Sequence, residues 1–327
     1  KPVDPSAIAV FTKEPDFKAT QADNYERVTI TATDTLFRSV RRYMNSGKNY
    51  FVLVDTVHSK QFKNLKRPTR EGMGFKNNTI FVLGSAMPTS FEISYNQEVE
   101  LQPLKNVVGI LPGKSKQEEQ VIFSGHYDHL GIDKPNAQSD SIYNGANDDA
   151  SGTTAVITLA HYFANLKNNE RTIVFAAFTA EESGGFGSQY FSSTFDPEKV
   201  VAMFNIEMIG TDSKWGNNSA YITGYEKSDM GKILEKNLQG SAFRFYPDPY
   251  PQQQLFYRSD NATLAKLGVP AHTISTSKMD SEKFYHTQDD EFETLDMNNM
   301  AEIIKAIALS STSIVAGKDT PSRVREF

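Results

Sequence analysis

TIVFAAFTAEESGG, residues 172–185, is the stretch on which the reading of the fold turns. Its first eight residues form an apolar run of the kind that a strand buried on both faces requires. Two adjacent acids, Glu181 and Glu182, stand just beyond its end. Outward from this point the pattern repeats. Residues 121–124 are a short apolar strand, followed by GHYDHLG. Residues 153–166 (TTAVITLAHYFANL) have helical spacing. Beyond the acids, 187–194 fit a short helix, 200–209 (VVAMFNIEMI) a strand and 220–223 another. Residues 229–238 fit a helix, 264–267 a helix running into the strand 269–274, and 297–315 a closing helix. Apolar strands alternating with helices predict an α/β fold with a mostly parallel central sheet.

The first hundred residues read differently. They hold strand-like runs at 7–11, 27–31, 50–55, 79–84 and 90–95, and a helical stretch at 35–44. Residues 60–78 are polar and basic and read as a loop. Residues 1–100 are therefore expected to form a small α+β module, and 101–327 a larger domain.

Bulk composition narrows the function classes. The chain has 327 residues, 39% hydrophobic and 11% aromatic, enough for a sizeable core. A net charge of −6 gives no basic face for nucleic acid. With no cysteine, any metal must be held by His, Asp or Glu. No apolar run approaches the ~20 residues that span a bilayer. A chain beginning at Lys1 suggests processing, so an exported bacterial protein with its signal peptide removed is expected.

Five short segments set charged or imidazole groups at the edges of apolar runs: FSGHYDHLG (123–131), NGANDDASG (144–152), TAEESGG (179–185), FNIEMIG (204–210) and FYHTQDD (284–290). In an open α/β sheet, functional groups gather beyond the carboxyl ends of strands, and four of these segments fall there. Each segment has a plain structural reading as well. His126 and Asp128 form an H-x-D in which a carboxylate can orient an imidazole, and a structural histidine is the alternative. His129 reads as lining the loop. Asp148 and Asp149 precede a helix, where an acid is favoured as a cap. Adjacent Glu181 and Glu182 resist double ionisation unless a cation compensates. One on a metal and the other as general base is the simplest solution, and an exposed acidic turn is the alternative. Glu207 sits at an apolar strand end, where a charge is costly unless paired or coordinating. His286 has Asp289 and Asp290 within reach for support. Together these groups amount to the ligand inventory of a two-metal hydrolytic centre.

The ordered motifs G-H-Y-D, G-A-N-D-D-A-S-G, A-E-E, N-I-E-M-I-G and Y-H-T-x-x-D, over residues 105–317, resemble the zinc exopeptidase family. That family includes bacterial leucyl-type aminopeptidases, glutamate carboxypeptidase and glutaminyl cyclase. The resemblance implies a phosphorylase/hydrolase-like three-layer sandwich around a central mixed sheet. It implies that His126, Asp148 and Glu207 hold one zinc and that Asp148, Glu182 and His286 hold a second, with Asp148 bridging. Glu181 is implied as general base and Asp128 as support for His126. R-S-D-N at 258–261 resembles the segment beside the family's substrate pocket, which makes Tyr257, Arg258 and Asp260 candidate substrate contacts. Residues 1–100, ending before K-N-V-V-G-I-L-P-G, resemble part of a protease-associated domain.

One residue departs from the pattern. Aminopeptidases of the family usually carry Asp where this chain has Glu207, which leaves two zincs as the expectation and one as the alternative. The expected function is peptide-bond hydrolysis at a chain end, on peptide substrates, most simply as an aminopeptidase. The alternative is a single-zinc cyclase of the glutaminyl type. A carboxypeptidase would need a cation for the substrate carboxylate, for which Arg258 is the conspicuous candidate. A non-catalytic binding module on this fold would have lost ligands.

Overall fold

The computed structural model describes residues 3–66, 77–98 and 101–325. The chain divides into two units, Lys1–Gln102 and Pro103–Phe327. The first contains strands β1 (Ile8–Phe11), β2 (Asp16–Thr20) and β3 (Glu26–Ile30), helix α1 (Leu36–Met44), β4 (Tyr50–Val54), helix α2 (Ser59–Phe62), β5 (Thr79–Leu83) and β6 (Glu92–Asn96). Four strands form a sheet in the order β1-β5-β4-β3, and β2 pairs with β6. Strands β3, β4 and β5 are mutually parallel and β1 is antiparallel. The loop expected over 60–78 is corrected in its first part. Phe62 and Leu65 are buried in the core of this unit, and their burial draws 59–66 into α2 and a following 3₁₀ turn. Residues 67–76 of that expected loop lie outside the described residues.

The second unit runs β7 (Val107–Leu111), β8 (Lys116–His126), β9 (Gly131–Ile132), β10 (Ile142–Tyr143), α3 (Ser151–Leu166), β11 (Arg171–Phe178), α4 (Phe186–Ser193), β12 (Val200–Ile206) and β13 (Ser219–Ile222). It continues through α5 (Met230–Asn237), β14 (Arg244–Pro247), α6 (Ala262–Lys266), β15 (Ala271–Ser275), α7 (Met297–Ser310) and α8 (Thr312–Val315). Seven strands form one mixed sheet in the order β14-β13-β15-β12-β8-β11-β7. Four consecutive strands of it, β15, β12, β8 and β11, are all parallel. The antiparallel joints are β13–β15 and β11–β7.

Alternation along the strands builds the three layers. Val121 and Phe123 of β8 face one core with Leu159, Phe163 and Ile307, and the Phe123 ring stacks on Phe163 at 5.5 Å and on Phe204 at 4.8 Å. Ile122, between them, faces the opposite core with Phe191 and Leu264. The α/β sandwich with a mixed, mostly parallel sheet expected from the sequence is the architecture found.

Two local departures have physical causes. The expected closing helix breaks at Ser311. Hydroxyls of Ser310, Ser311 and Thr312 donate back to the carbonyls of Ile307, Ala308 and Leu309 and compete with the helical ladder. Strand β14 forms within the aromatic and Pro-rich run at 243–257, where no strand is expected. It lies at the sheet edge with Pro247 as its last residue, the place where a sheet tolerates proline.

Candidate metal centre

Because β15, β12, β8 and β11 are parallel, their carboxyl ends share one edge of the sheet. His126 is the last residue of β8, Glu181 and Glu182 follow β11, Glu207 directly follows β12, and the chain leaving β15 leads to His286. The fold therefore brings side chains up to 160 residues apart in sequence to one place.

The neighbouring acids Asp148 and Asp149 divide two tasks. Asp149 is a buried clamp. Its carboxylate accepts from His126 N at 3.1 Å, Gly152 N at 3.0 Å and Met208 N at 3.1 Å, tying β8, α3 and the turn after β12 together. Gly125 and Gly152 permit this approach. A Cβ at 125 would stand 2.9 Å from Asp149 Oδ2, and one at 152 would strike Ile206 O and the Asp149 carboxylate. Asp149 thus meets the capping expectation. Asp148, also buried, points the other way. Its Oδ1 lies 3.2 Å from His126 Nε2, and its Oδ2 lies 3.3 Å from His286 Nε2. Its backbone N–H donates to Asp290 Oδ2 at 3.0 Å, and Asn147 N donates to Asp290 Oδ1 at 2.8 Å. Asp290, read from sequence as support for His286, instead holds the loop that carries Asp148.

Two donor groups result among the described residues. In one, His126, Asp148 and Glu207 bring one ligand atom each to within 4.8 Å of the others; in the second, His129, Asp148 and Glu182 do so. His286 adjoins the second group, its Nε2 3.1 Å from Glu182 Oε1. His129, expected from the sequence to line the loop, instead has a buried ring, with Nδ1 3.0 Å from Glu182 Oε1 and 3.9 Å from Asp148 Oδ2. The only sequence signal for it was its spacing, three residues after His126 on a strand-end loop.

Asp128 follows the end of β8. The nearest acceptor to His126 Nδ1 is its backbone carbonyl at 3.0 Å, with its carboxylate at 3.7 Å. That carboxylate accepts from Glu181 N at 3.0 Å and Glu182 N at 3.3 Å, so it fixes the paired acids. The site is also conformationally strained. Ala180, Met208 and His286 are non-glycine residues in the left-handed region, with φ of 57°, 52° and 57°. Each is a candidate donor or adjoins one, the clustering expected where function holds backbone in costly conformations.

The electrostatics are those of crowded acids. Burial, then the charge of Glu207, pushes Glu181 up to about 9. Burial raises Glu207 to about 7 and Asp260 to about 6. Asp148 is held well below the usual carboxylate range: its own burial opposes this, and the His126 and His286 imidazoles outweigh it. Asp148, Glu181, Glu182, Glu207 and Asp260 thus crowd around three imidazoles, a balance that divalent cations would relieve. The donor atoms fit such ions. His126 Nε2, both His129 ring nitrogens and Asp148 Oδ2 are buried without a hydrogen-bond partner, although His126 Nε2 lies 3.2 Å from Asp148 Oδ1 and His129 Nδ1 lies 3.9 Å from Asp148 Oδ2. Lone pairs so arranged converge on a shared cation rather than on each other.

Of the three candidate substrate contacts, Asp260 is the one brought to the cluster, buried with neither carboxylate oxygen hydrogen-bonded. Arg258 is exposed and donates to Gln253 O at 3.5 Å. Tyr257 is exposed, with the Lys266 ammonium 5.8 Å from its ring. Among the described residues no helix is long and apolar enough to cross a membrane.

The family model described as Peptidase family M28 matches residues 106–311, well over half of the chain. Leucine aminopeptidase 1 of Ajellomyces dermatitidis is 27% identical over 215 residues, which cover 61% of this chain and 53% of that protein. A probable zinc metalloprotease of Pyricularia oryzae is 33% identical over 135 residues, 41% of this chain and 24% of that protein. The chain thus spans about half or less of the length of the first relatives it matches. Among solved structures, the zinc aminopeptidase BSAP from Bacillus subtilis shares the fold with a TM-score of 0.53 at 15% identity, covering 98% of this chain and 82% of that one.

Proposed function

We propose that this chain, which belongs to peptidase family M28, is a zinc-dependent aminopeptidase that removes N-terminal residues from peptides. The observation that carries the reading is the Asp148 carboxylate, whose two oxygens face His126 on one side and His286 on the other. His126, Asp148 and Glu207 would hold one zinc, and Asp148, Glu182 and His286 the second. When bound, zinc polarises a carbonyl and lowers the pKa of water toward ~7.

The chain's own residues do the rest. Glu181 is half-buried, feels the charges of Glu207, His126 and Glu182, and belongs to neither donor group, so it is free to take a proton from the attacking water and return it to the leaving amine. Asp128 holds Glu181 and Glu182 by their backbone N–H groups, and its carbonyl orients His126. Asp260 borders the substrate side, where an unpaired carboxylate suits an α-ammonium group. The first unit we read as a separate module of protease-associated type.

A second reading is a single-zinc glutaminyl cyclase. Glu207 favours it, because it stands where aminopeptidases of the family usually carry Asp, and its extra methylene moves the carboxylate further out. A panel of aminoacyl, N-blocked and glutaminyl peptides, assayed with added zinc and with chelator, separates the readings. Zinc-dependent release of free N-terminal residues supports the aminopeptidase. Ammonia release from glutaminyl peptides without hydrolysis supports the cyclase.

A further inference from the structure

His129 lies in the second donor group, and no role in the reaction above uses it. Its ring is 7% exposed, and both nitrogens are without a hydrogen-bond partner although Nδ1 stands 3.0 Å from Glu182 Oε1. A neutral imidazole beside a carboxylate ordinarily donates to it; one that does not is aimed elsewhere. We propose, resting on the two-zinc reading above, that His129 is a fourth protein ligand of the second ion, acting alongside Asp148, Glu182 and His286.

Four of the six donor separations lie close to those that coordination requires. Four donors held tetrahedrally at about 2.0–2.1 Å from zinc stand about 3.3 Å apart. The distances found are 3.0 Å for His129 Nδ1 to Glu182 Oε1, 3.1 Å for His286 Nε2 to Glu182 Oε1, 3.3 Å for His286 Nε2 to Asp148 Oδ2, and 3.9 Å for His129 Nδ1 to Asp148 Oδ2.

The fold also builds the position of this ring. Tyr127 N donates to Phe178 O at 2.9 Å, and Asp128 clamps the Glu181 and Glu182 amides, so the 127–129 loop is fixed to the loop that bears Glu182. Gly145, at φ +63°, leaves the space: a Cβ there would lie 2.6 Å from His129 Cγ.

The consequence is a division between the two positions. The second would have two imidazoles and two carboxylates, a closed donor set that favours zinc over hard oxygen-seeking cations. The first would have one imidazole and two carboxylates, leaving the open position that a catalytic site keeps. The second ion is then the tightly held one, and a chelator strips the first before it.

Zinc titration by calorimetry and mass spectrometry, with X-ray absorption at the zinc edge to count imidazoles, tests this on the whole chain. His129→Gln is compared with wild type, and His129→Phe, which keeps the ring volume and drops both nitrogens, is measured beside it so that one poorly folding variant does not decide the matter. The expected result is three imidazoles shared by two zincs in wild type and two in either variant. The tighter site should weaken by more than the roughly 10–100-fold typical of a partner outside the coordination shell. Unchanged imidazole number in variants that still bind two zincs would overturn the inference and leave the function standing, since a His129 that merely orients Glu182 gives that result. A wild-type protein that takes up no zinc would overturn both.

Discussion

His126 Nε2 and Asp148 Oδ1 lie 3.2 Å apart, both buried, and His126 Nε2 completes no hydrogen bond. The same carboxylate turns its other oxygen to His286, 3.3 Å away. One side chain therefore stands between both donor groups, and the sharpest expectation concerns it. Asp148→Asn should remove both ions together and lower turnover by roughly 10³-fold or more. Zinc per chain after dialysis, measured by mass spectrometry, checks it; a variant that retains one ion would show that the groups do not depend on a shared ligand.

Glu181 is half-buried and close enough to feel the charges of Glu207, His126 and Glu182, without belonging to either donor group. Glu181→Gln keeps its volume and removes its basicity. Zinc content should remain at the wild-type value while kcat falls by roughly 10²–10⁴-fold, the usual contribution of a general base. Full activity in this variant would end its assignment as the base.

Asp290 accepts the Asn147 and Asp148 amides. In Asp290→Asn an amide donor can face one of those N–H groups, so a buried donor loses its acceptor. The expected cost is about 1–3 kcal/mol of stability, with zinc affinity reduced roughly 10–100-fold. Chemical denaturation and zinc titration of the same variant read the two effects separately.

His272 supplies a pH dependence away from the donor groups. Its Nδ1 lies 2.8 Å from Thr223 O, so that nitrogen carries the proton, and its Nε2 accepts from the Ser228 hydroxyl at 2.7 Å. Burial pushes the imidazole down to about 4, against an opposing pull from the Thr223 carbonyl. The unfolded chain takes up a proton near pH 6.5 that the folded chain refuses until about 4. Stability from this residue is therefore complete above pH 6.5 and falls by about 3 kcal/mol as pH drops to 4. Denaturant midpoints of wild type and His272→Gln should converge over that window; a constant gap would show that His272 does not titrate in it.

Arg171 begins β11, at the end of the strand opposite the paired acids. Its buried guanidinium donates to Ile314 O and Asp319 O at 2.7 Å and to Thr320 Oγ1 at 2.6 Å, and pairs with Glu119. Arg171→Met strands those buried carbonyls and should cost about 3 kcal/mol. Because the residue is remote from the donor groups, zinc content and kcat of the folded fraction should be unchanged, which thermal unfolding and steady-state assays distinguish.

Most of the larger unit was legible locally. The apolar runs that became β8, β11, β12 and β15 announce burial on both faces, and a charge just past such a run marks a strand end at a working edge. Strands β7 and β9 were not legible. Val107, Val108 and Ile110 are exposed on an edge strand, and β9 is two residues long, so neither carries a burial pattern.

By itself the sequence determined the donor types, their order and the strand ends that bear them, because side-chain chemistry and apolar periodicity are properties of short segments. Only the tertiary structure decided how neighbouring residues divide. Asp149 turns inward to clamp three backbone amides while Asp148 faces two imidazoles. Asp290 supports a loop more than 140 residues earlier in the chain rather than the histidine four residues before it. His129 enters the cluster because the 127–129 loop is fastened to β11 and its following turn and because Gly145 leaves room for its ring. In each case the direction of a side chain in a tight loop is set by hydrogen bonds and steric limits from distant segments, which spacing along the chain does not carry.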